Sequence, residues 1–325
     1  MHREIMFALD KPLVVLGAGS IGERCIRNLW HLGYRNILVF RQRNLPFRDI
    51  GDAQVKVITD WETLLREKPY AAFVCTPTSL HLSQSTQLIR NGIHVLVEKP
   101  LSHNLEAWEG LREAVAEGKA LLHVGYMMRQ HPILKILRQI IDQKTCGNLI
   151  SLQSKWAEYL PDWHPWEDYR ISYAARKEMG GGVALTLSHD IDMINWLSGN
   201  PLSDWAIFKN YRSKLEVDVE SGAEIILRYE NGITASLHLN FYEKSRERFL
   251  KLVFDDASFS VDFFENTLTE KRGTKSEIRS FPEFDRNQLF IDQLKEFMNK
   301  TQAFQADDSL RQLAESKQII SICHG

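Results

Sequence analysis

Leu13-Val14-Val15-Leu16-Gly17-Ala18-Gly19-Ser20-Ile21-Gly22 is the stretch on which the fold turns. Four apolar residues of strand length run into Gly17-x-Gly19-x-x-Gly22, and beyond them Ile21, Cys25, Ile26, Leu29 and Trp30 recur at helical spacing. A strand, a tight turn and a helix are therefore expected in succession. In that setting the glycines read as a dinucleotide-binding turn. Gly17 permits the bend, Gly19 lets backbone N–H groups approach a pyrophosphate, and Gly22 allows close packing of helix on strand. Ser20 and Ile21 open the helix, whose N-terminal amides and dipole favour an anion.

Working outward, strand-like runs follow at Ile37 to Phe40, Val55 to Ile58, Ala71 to Cys75, Ile93 to Val97 and Leu121 to Val124. Helical segments lie between the later ones, with start signals at Asp60, Ser79 and Asn104. Apolar strands alternating with amphipathic helices imply a parallel sheet covered on both faces. The reading is an α/β, doubly wound Rossmann domain over residues 1–126. After Tyr126 the rhythm changes, with helices expected near Ile133 to Ile141 and Gly182 to Leu197. Strands then dominate: Glu224 to Tyr229 and Ile233 to Phe241 flank Asn231-Gly232, a strong hairpin signal. Further strands are expected at Leu250 to Phe254, Ser258 to Phe263 and Glu277 to Phe281, and closing helices near Gln288 to Asn299 and Ser309 to Ile322. Residues 127–325 are thus expected to form an α+β domain with a mainly antiparallel sheet, for substrate binding and oligomerisation.

The 325 residues carry 44% hydrophobic and 25% charged side chains, and 40 basic residues against 42 acidic give a net charge of −2. That balance argues against a disordered chain and against a nucleic-acid partner. No apolar run approaches the ~20 residues a membrane-spanning helix needs, so no membrane partner is expected. Cys25, Cys75, Cys146 and Cys323 are far apart, with no C-x-x-C pair or zinc-type spacing. No metal and a cytoplasmic location are expected.

A carboxylate at the end of the second strand would hold the ribose hydroxyls of NAD. Here the strand runs instead into Arg41-Gln42-Arg43-Asn44, with no acid before Asp49. A guanidinium can grip a 2′-phosphate and stack on adenine, so Arg41 and Arg43 favour NADP, with NAD the less favoured alternative. The other reading of the loop is a solvated basic surface.

Val95-Leu96-Val97-Glu98-Lys99-Pro100 sets a lysine at the C-terminal end of a strand, where open α/β sheets place their ligands. With Thr76-Pro77-Thr78-Ser79-Leu80-His81 upstream, this resembles the glucose-fructose oxidoreductase, inositol dehydrogenase and MocA family (Gfo/Idh/MocA). The resemblance continues through Gly125-Tyr126-Met127-Met128-Arg129-Gln130-His131-Pro132, Gly180-Gly181-Gly182 and Ser188-His189-Asp190-Ile191-Asp192. It implies Lys99 and His189 as catalytic residues. Spacing of three sets Asp192 on the face of His189, where it can orient the imidazole or contact substrate. The resemblance also assigns Thr76, Pro77, His81 and Glu98 to the cofactor and Arg129 to the substrate. Where the family commonly carries a further catalytic Asp, this chain has Thr186 or, counting back four from His189, Leu185, neither of which ionises usefully; Thr186 is expected on the substrate side. That leaves Lys99 and His189 as the proton-transfer pair.

The segment Glu158 to Arg170 is dense in aromatics. Trp163, Trp166 and Tyr169 can stack on sugar or base rings, and Arg176 can pair with a phosphate or carboxylate. The segment resembles the branch of the family associated with surface-glycan sugars; packing or a subunit contact is the alternative. The chain is thus expected to be an NAD(P)-dependent dehydrogenase or reductase acting on a CH–OH group of a sugar or sugar nucleotide. A homodimer or homotetramer is expected from the resemblance. Transient use of the cofactor in an elimination or epimerisation, and a non-catalytic nucleotide sensor, are the alternatives.

Overall fold

A computed structural model describes residues 8–42, 46–51 and 54–325. The chain begins with β1 (Leu13–Leu16), α1 (Ser20–His31), β2 (Ile37–Phe40), β3 (Lys56–Ile58), α2 (Trp61–Arg66), β4 (Ala71–Val74), α3 (Thr78–Arg90), β5 (His94–Val97), α4 (Trp108–Ala116) and β6 (Leu122–Val124). Among the described residues these strands form one sheet of order β3-β2-β1-β4-β5-β6, parallel at every pairing. The order reverses between β1 and β4, the switch point at which such sheets open a crevice. β1, β2 and β4 are buried at every residue, as expected of strands covered on both faces. Asp60 caps α2 by accepting the Thr63 N–H at 2.8 Å. Asn104, expected to start a helix, instead closes a turn by accepting the Glu106 N–H at 2.9 Å, and α4 begins at Trp108.

The chain continues with α5 (Pro132–Gln143), β7 (Leu149–Ala157), α6 (Val183–Thr186), α7 (Ser188–Ser198), β8 (Leu202–Asn210), β9 (Gly222–Tyr229), β10 (Thr234–Asn240), β11 (Glu247–Phe254), β12 (Ser258–Asp262), β13 (Thr267–Arg272) and β14 (Lys275–Ser280). The second sheet runs β14-β13-β12-β11-β7-β10-β9-β8, antiparallel except where β10 lies parallel to β7. The single helix expected over Gly182 to Leu197 is two, parted at Leu187 (φ −93°, ψ 19°).

The last two helices, α8 (Arg286–Gln302) and α9 (Ala306–His324), depart from the expected domain assignment. The described chain forms two compact units: one runs to Gly125 and takes in Arg286–Lys317, the other holds Tyr126–Asp285 and Gln318–Gly325. Leu294, Phe297 and Met298 of α8 enter the core built by Leu13, Val15, Ile26, Leu29, Val39 and Phe73. Phe297 meets Phe73 edge-on at 5.6 Å. Each such fully buried side chain contributes about 1.5–3 kcal/mol, which is why the helix stays with the first sheet rather than with its sequence neighbours.

In the second unit His131 caps α5, its Nδ1 accepting the Ile133 N–H at 3.3 Å, between the rings of Phe263 and Phe284. Burial, with the nearby Arg248 charge second, lowers its pKa from 6.5 to about 4. Above pH 6.5 neither folded nor unfolded chain holds this proton. As pH falls from there towards 4, the unfolded chain takes it up and the folded one does not, so stability is lost. The loss from this residue is expected to reach on the order of 3 kcal/mol. Urea unfolding of His131→Asn, which keeps a cap acceptor but does not titrate, is expected to show a flatter acid slope than the wild type.

Candidate active site

In the first unit the loops after β1, β2, β4 and β5 leave the same carboxyl edge, because those strands are parallel neighbours. That edge therefore gathers Gly17 to Gly22, Arg41, Thr76-Pro77 and Glu98-Lys99-Pro100. Gly17 has φ +87°, and a Cβ there would lie 2.8 Å from the Cys75 carbonyl oxygen. A Cβ on Gly22 would lie 2.0 Å from the Gly17 oxygen, so the turn closes only on hydrogen. Gly19 differs: nothing lies within 4 Å of where its Cβ would be. It caps α1 without a side-chain hydrogen bond, so the first-turn amides at Ser20 and Ile21 are not covered by a capping side chain.

Arg41 follows β2 and lays its guanidinium 4.1 Å from the centre of the Phe47 ring. Arg43 lies outside the described residues. Asp49, the first acid downstream, is taken by Arg27 at 2.5 Å. Two residues here went unread in the sequence. The buried carboxylate of Glu23 accepts the backbone N–H groups of Arg48 and Asp49 at 2.7–3.1 Å, pinning that loop to α1. Arg48 Nη1 then reaches Ser20 Oγ at 3.2 Å, setting another cation beside the glycine turn. The only prior signal was an acid in the first turn of an apolar helix.

Thr76 Oγ1 donates to Gln84 Oε1 at 2.7 Å. His81 is buried, its Nε2 2.7 Å from the Thr76 oxygen and its Nδ1 2.9 Å from the Pro100 oxygen. It thereby ties the loop after β4 to the turn that carries Lys99, and burial holds its pKa below the ordinary value. Glu98 donates its backbone N–H to the Val74 oxygen at 2.9 Å. Withdrawal of its carboxyl from water raises its pKa, against the pull of Lys99 and Arg24.

In the second unit His189 is 6% exposed on α7. Tyr126 meets it edge-on at 5.8 Å and Trp156 lies 6.4 Å away at 30°. Burial, with Asp192 second, pushes the Tyr126 phenol well above its usual range, so it remains a donor at neutral pH. Asp192 is fully buried, and its two oxygens accept the Arg129 fork at 3.0 and 2.5 Å. Arg129 is thus drawn to the helix that carries His189. Thr186 is buried at the end of α6. Glu220, buried and with its pKa raised by burial, accepts the Ala184 N–H at 3.2 Å near the start of that helix.

The aromatic segment divides. Trp163 packs edge-on against Phe241 at 5.4 Å, while Trp166 is 72% exposed. The Tyr169 hydroxyl accepts the Glu216 N–H at 3.1 Å, and Arg176 pairs with Asp218 at 3.4 Å. The polar ends of Tyr169 and Arg176 therefore hold the 216–218 loop. Among the described residues, no group of three His, Cys, Asp or Glu lies close enough to hold a metal, and no helix is long and apolar enough to cross a membrane.

A parallel sheet with a glycine turn and a lysine on its carboxyl edge, followed by a mainly antiparallel α+β unit, defines a two-part nucleotide-dependent oxidoreductase class. Residues 11–126 match the family model described as oxidoreductase family, NAD-binding Rossmann fold, and residues 134–260 match the GFO/IDH/MocA C-terminal domain. The chain belongs to the GFO/IDH/MocA family of NAD-binding oxidoreductases.

Among curated relatives, 1,5-anhydro-D-fructose reductase of Ensifer adhaerens is 28% identical over 194 residues, covering 59% of this chain and 57% of that protein. UDP-N-acetylglucosamine 3-dehydrogenase of Acidithiobacillus ferrooxidans is 26% identical over 200 residues, covering 61% and 57%. Each match spans less than two thirds of the relative's length. Among solved structures, a levoglucosan dehydrogenase in complex with NADH superposes with a TM-score of 0.81 at 14% identity, covering 97% of this chain and 95% of that one. The Acidithiobacillus ferrooxidans dehydrogenase gives 0.73 at 20%, covering 95% and 96%. These likenesses show a shared fold.

Proposed function

We propose that this chain is an NADP-dependent oxidoreductase that moves a hydride between the nicotinamide and a carbinol or ketone carbon of a sugar or sugar nucleotide. The observation that carries the reading is the gathering of the glycine turn, Arg41 and Lys99 on one carboxyl edge of the parallel sheet. The open side of Gly19 fits a pyrophosphate, because backbone amides can be approached there without a side chain in the way. Gly17, Gly19, Ser20, Ile21 and Gly22 hold that group, with Thr76, Pro77, His81 and Glu98 beside it. When bound, the cofactor supplies a two-electron hydride acceptor or donor. His189 takes the substrate hydroxyl proton and Lys99 polarises the nascent carbonyl oxygen. Asp192 and Arg129 keep the helix of His189 in place, and Thr186, Trp163, Trp166, Tyr169 and Arg176 are the side chains proposed to contact the sugar.

Support for the substrate class comes from the sugar and sugar-nucleotide names of the relatives. Arg41, Arg43 and the absence of a ribose-binding acid at the end of β2 support NADP over NAD. A homodimer or homotetramer is supported by Phe208 and Ile226, 67% and 49% exposed on the outward face of the second sheet. A cytoplasmic location goes with the four free cysteines.

The test is a fluorescence titration of nucleotide-stripped protein with NADPH and NADH, followed by a screen of sugar nucleotides. Loss of one charge-assisted contact is worth about 1.5–3 kcal/mol. Arg41→Asp is therefore expected to weaken NADPH by about 10–100-fold and NADH by less than about threefold. Equal losses for the two nucleotides would overturn the phosphate assignment, and binding without turnover on any sugar would favour the sensor reading.

A further inference from the structure

Asp190, the residue after His189, is completely buried. Its Oδ1 accepts the Ser154 hydroxyl of β7 at 2.6 Å and its Oδ2 accepts Arg248 Nη2 of β11 at 2.6 Å. Arg248 is 8% exposed, and its guanidinium carbon stands 3.7 Å from the centre of the Trp156 ring. Arg248 and Trp156 are directly opposed in the β11–β7 register. Trp156 in turn faces the His189 imidazole. One sheet position thus touches the proposed proton acceptor by two routes, through Asp190 along the helix and through Trp156 across it.

Stability does not explain such a pair. Exchanging a buried ion pair for apolar side chains of similar size is often neutral or stabilising, because two charges no longer have to leave water. Geometry explains it better. Side chains advance about 100° per residue around a helix, so Asp190 stands about 100° to one side of His189 and Asp192 about 60° to the other. Asp190 is pinned to the sheet by Arg248, and Asp192 to the turn after β6 by the Arg129 fork. A helix held on both sides of one residue cannot rotate about its axis, and the bracketed residue is His189.

We propose that Arg248, acting through Asp190, is a positioning residue that sets the rotation of α7 and so the direction of the His189 imidazole. The inference rests on the reading of His189 as the proton acceptor. Two variants test it: the apolar pair Asp190→Leu with Arg248→Met, and Arg248→Lys, which keeps the charge but loses the planar fork. Both are expected to fold with unfolding midpoints at or above wild type or only slightly below it, and to bind NADPH as wild type does. Each is expected to lower kcat, the apolar pair by about 10–100-fold, with KM little changed, because a misaligned reacting group costs that much without weakening ground-state binding. If the apolar pair fails to fold, Arg248→Lys decides alone.

The histidine side chains are also followed by 15N NMR in the free protein, with His189 assigned by its loss in His189→Ala. The His189 signal is expected to shift or broaden in both variants. Wild-type kcat together with an unmoved His189 signal would overturn the positioning role. A moved signal in the variants alongside full turnover in His189→Ala would uphold it while removing His189 from the chemistry, so the two failures are distinguishable.

Discussion

Lys99→Ala is expected to lower kcat by about 10²–10⁴-fold, the usual worth of a positioned proton-transfer group, while NADPH binding stays within about twofold. The lysine follows β5 on the carboxyl edge of the parallel sheet, and its turn is tied to the loop after β4 by His81, whose two ring nitrogens meet the Thr76 and Pro100 oxygens. That frame does not depend on the lysine side chain. Its removal should therefore spare the glycine turn and the nucleotide while withdrawing the cation from the reacting oxygen. His189→Ala is expected to act on kcat to a similar degree. Steady-state kinetics with the sugar found in the nucleotide screen, beside NADPH titrations of the same preparations, separate turnover from binding. Full turnover in both variants would remove the proposed proton-transfer pair.

Gly22→Ala is expected to abolish measurable NADPH binding and to destabilise the first unit by several kcal/mol, a magnitude at the high end for overpacking in a tight site. The added carbon would stand 2.0 Å from the Gly17 oxygen, so either α1 or the turn must move. Neither can move cheaply. α1 buries Cys25, Ile26 and Leu29 in the core, and the Gly17 N–H is held by the Phe40 oxygen at 2.9 Å. Gly19→Ala is the informative partner, because nothing lies within 4 Å of its added carbon. It is expected to keep wild-type thermal stability and to lose nucleotide affinity. Unchanged NADPH binding in Gly19→Ala would mean that the phosphates do not approach the turn from that side.

Much of this was legible along the chain because it depends on near neighbours. A period of two or of 3.6, a glycine where φ must be positive, and Asn-Gly between two apolar runs are local facts, and β1, α1, α2 and the β9–β10 hairpin follow from them. β7 escaped for a tertiary reason. Its buried face carries Ser154 and Trp156, and Ser154 is tolerated in the core because acceptors far along the chain, the Asp190 carboxylate at 2.6 Å and the Phe249 carbonyl at 3.3 Å, lie within reach of its hydroxyl. β8 escaped as an edge strand with several exposed residues, bearing no clean alternation.

The sequence by itself determined the class of the first fold, the family, and the identities of the candidate groups at Gly17 to Gly22, Lys99 and His189, since each rests on a contiguous pattern. Only the tertiary structure decided that α8 returns to the first core, that Glu23 fastens the loop of Arg48, and that Arg248 and Arg129 grip the helix of His189 from either side. Those contacts join residues far apart in the chain, and a buried charge declares itself only when its partner is brought against it.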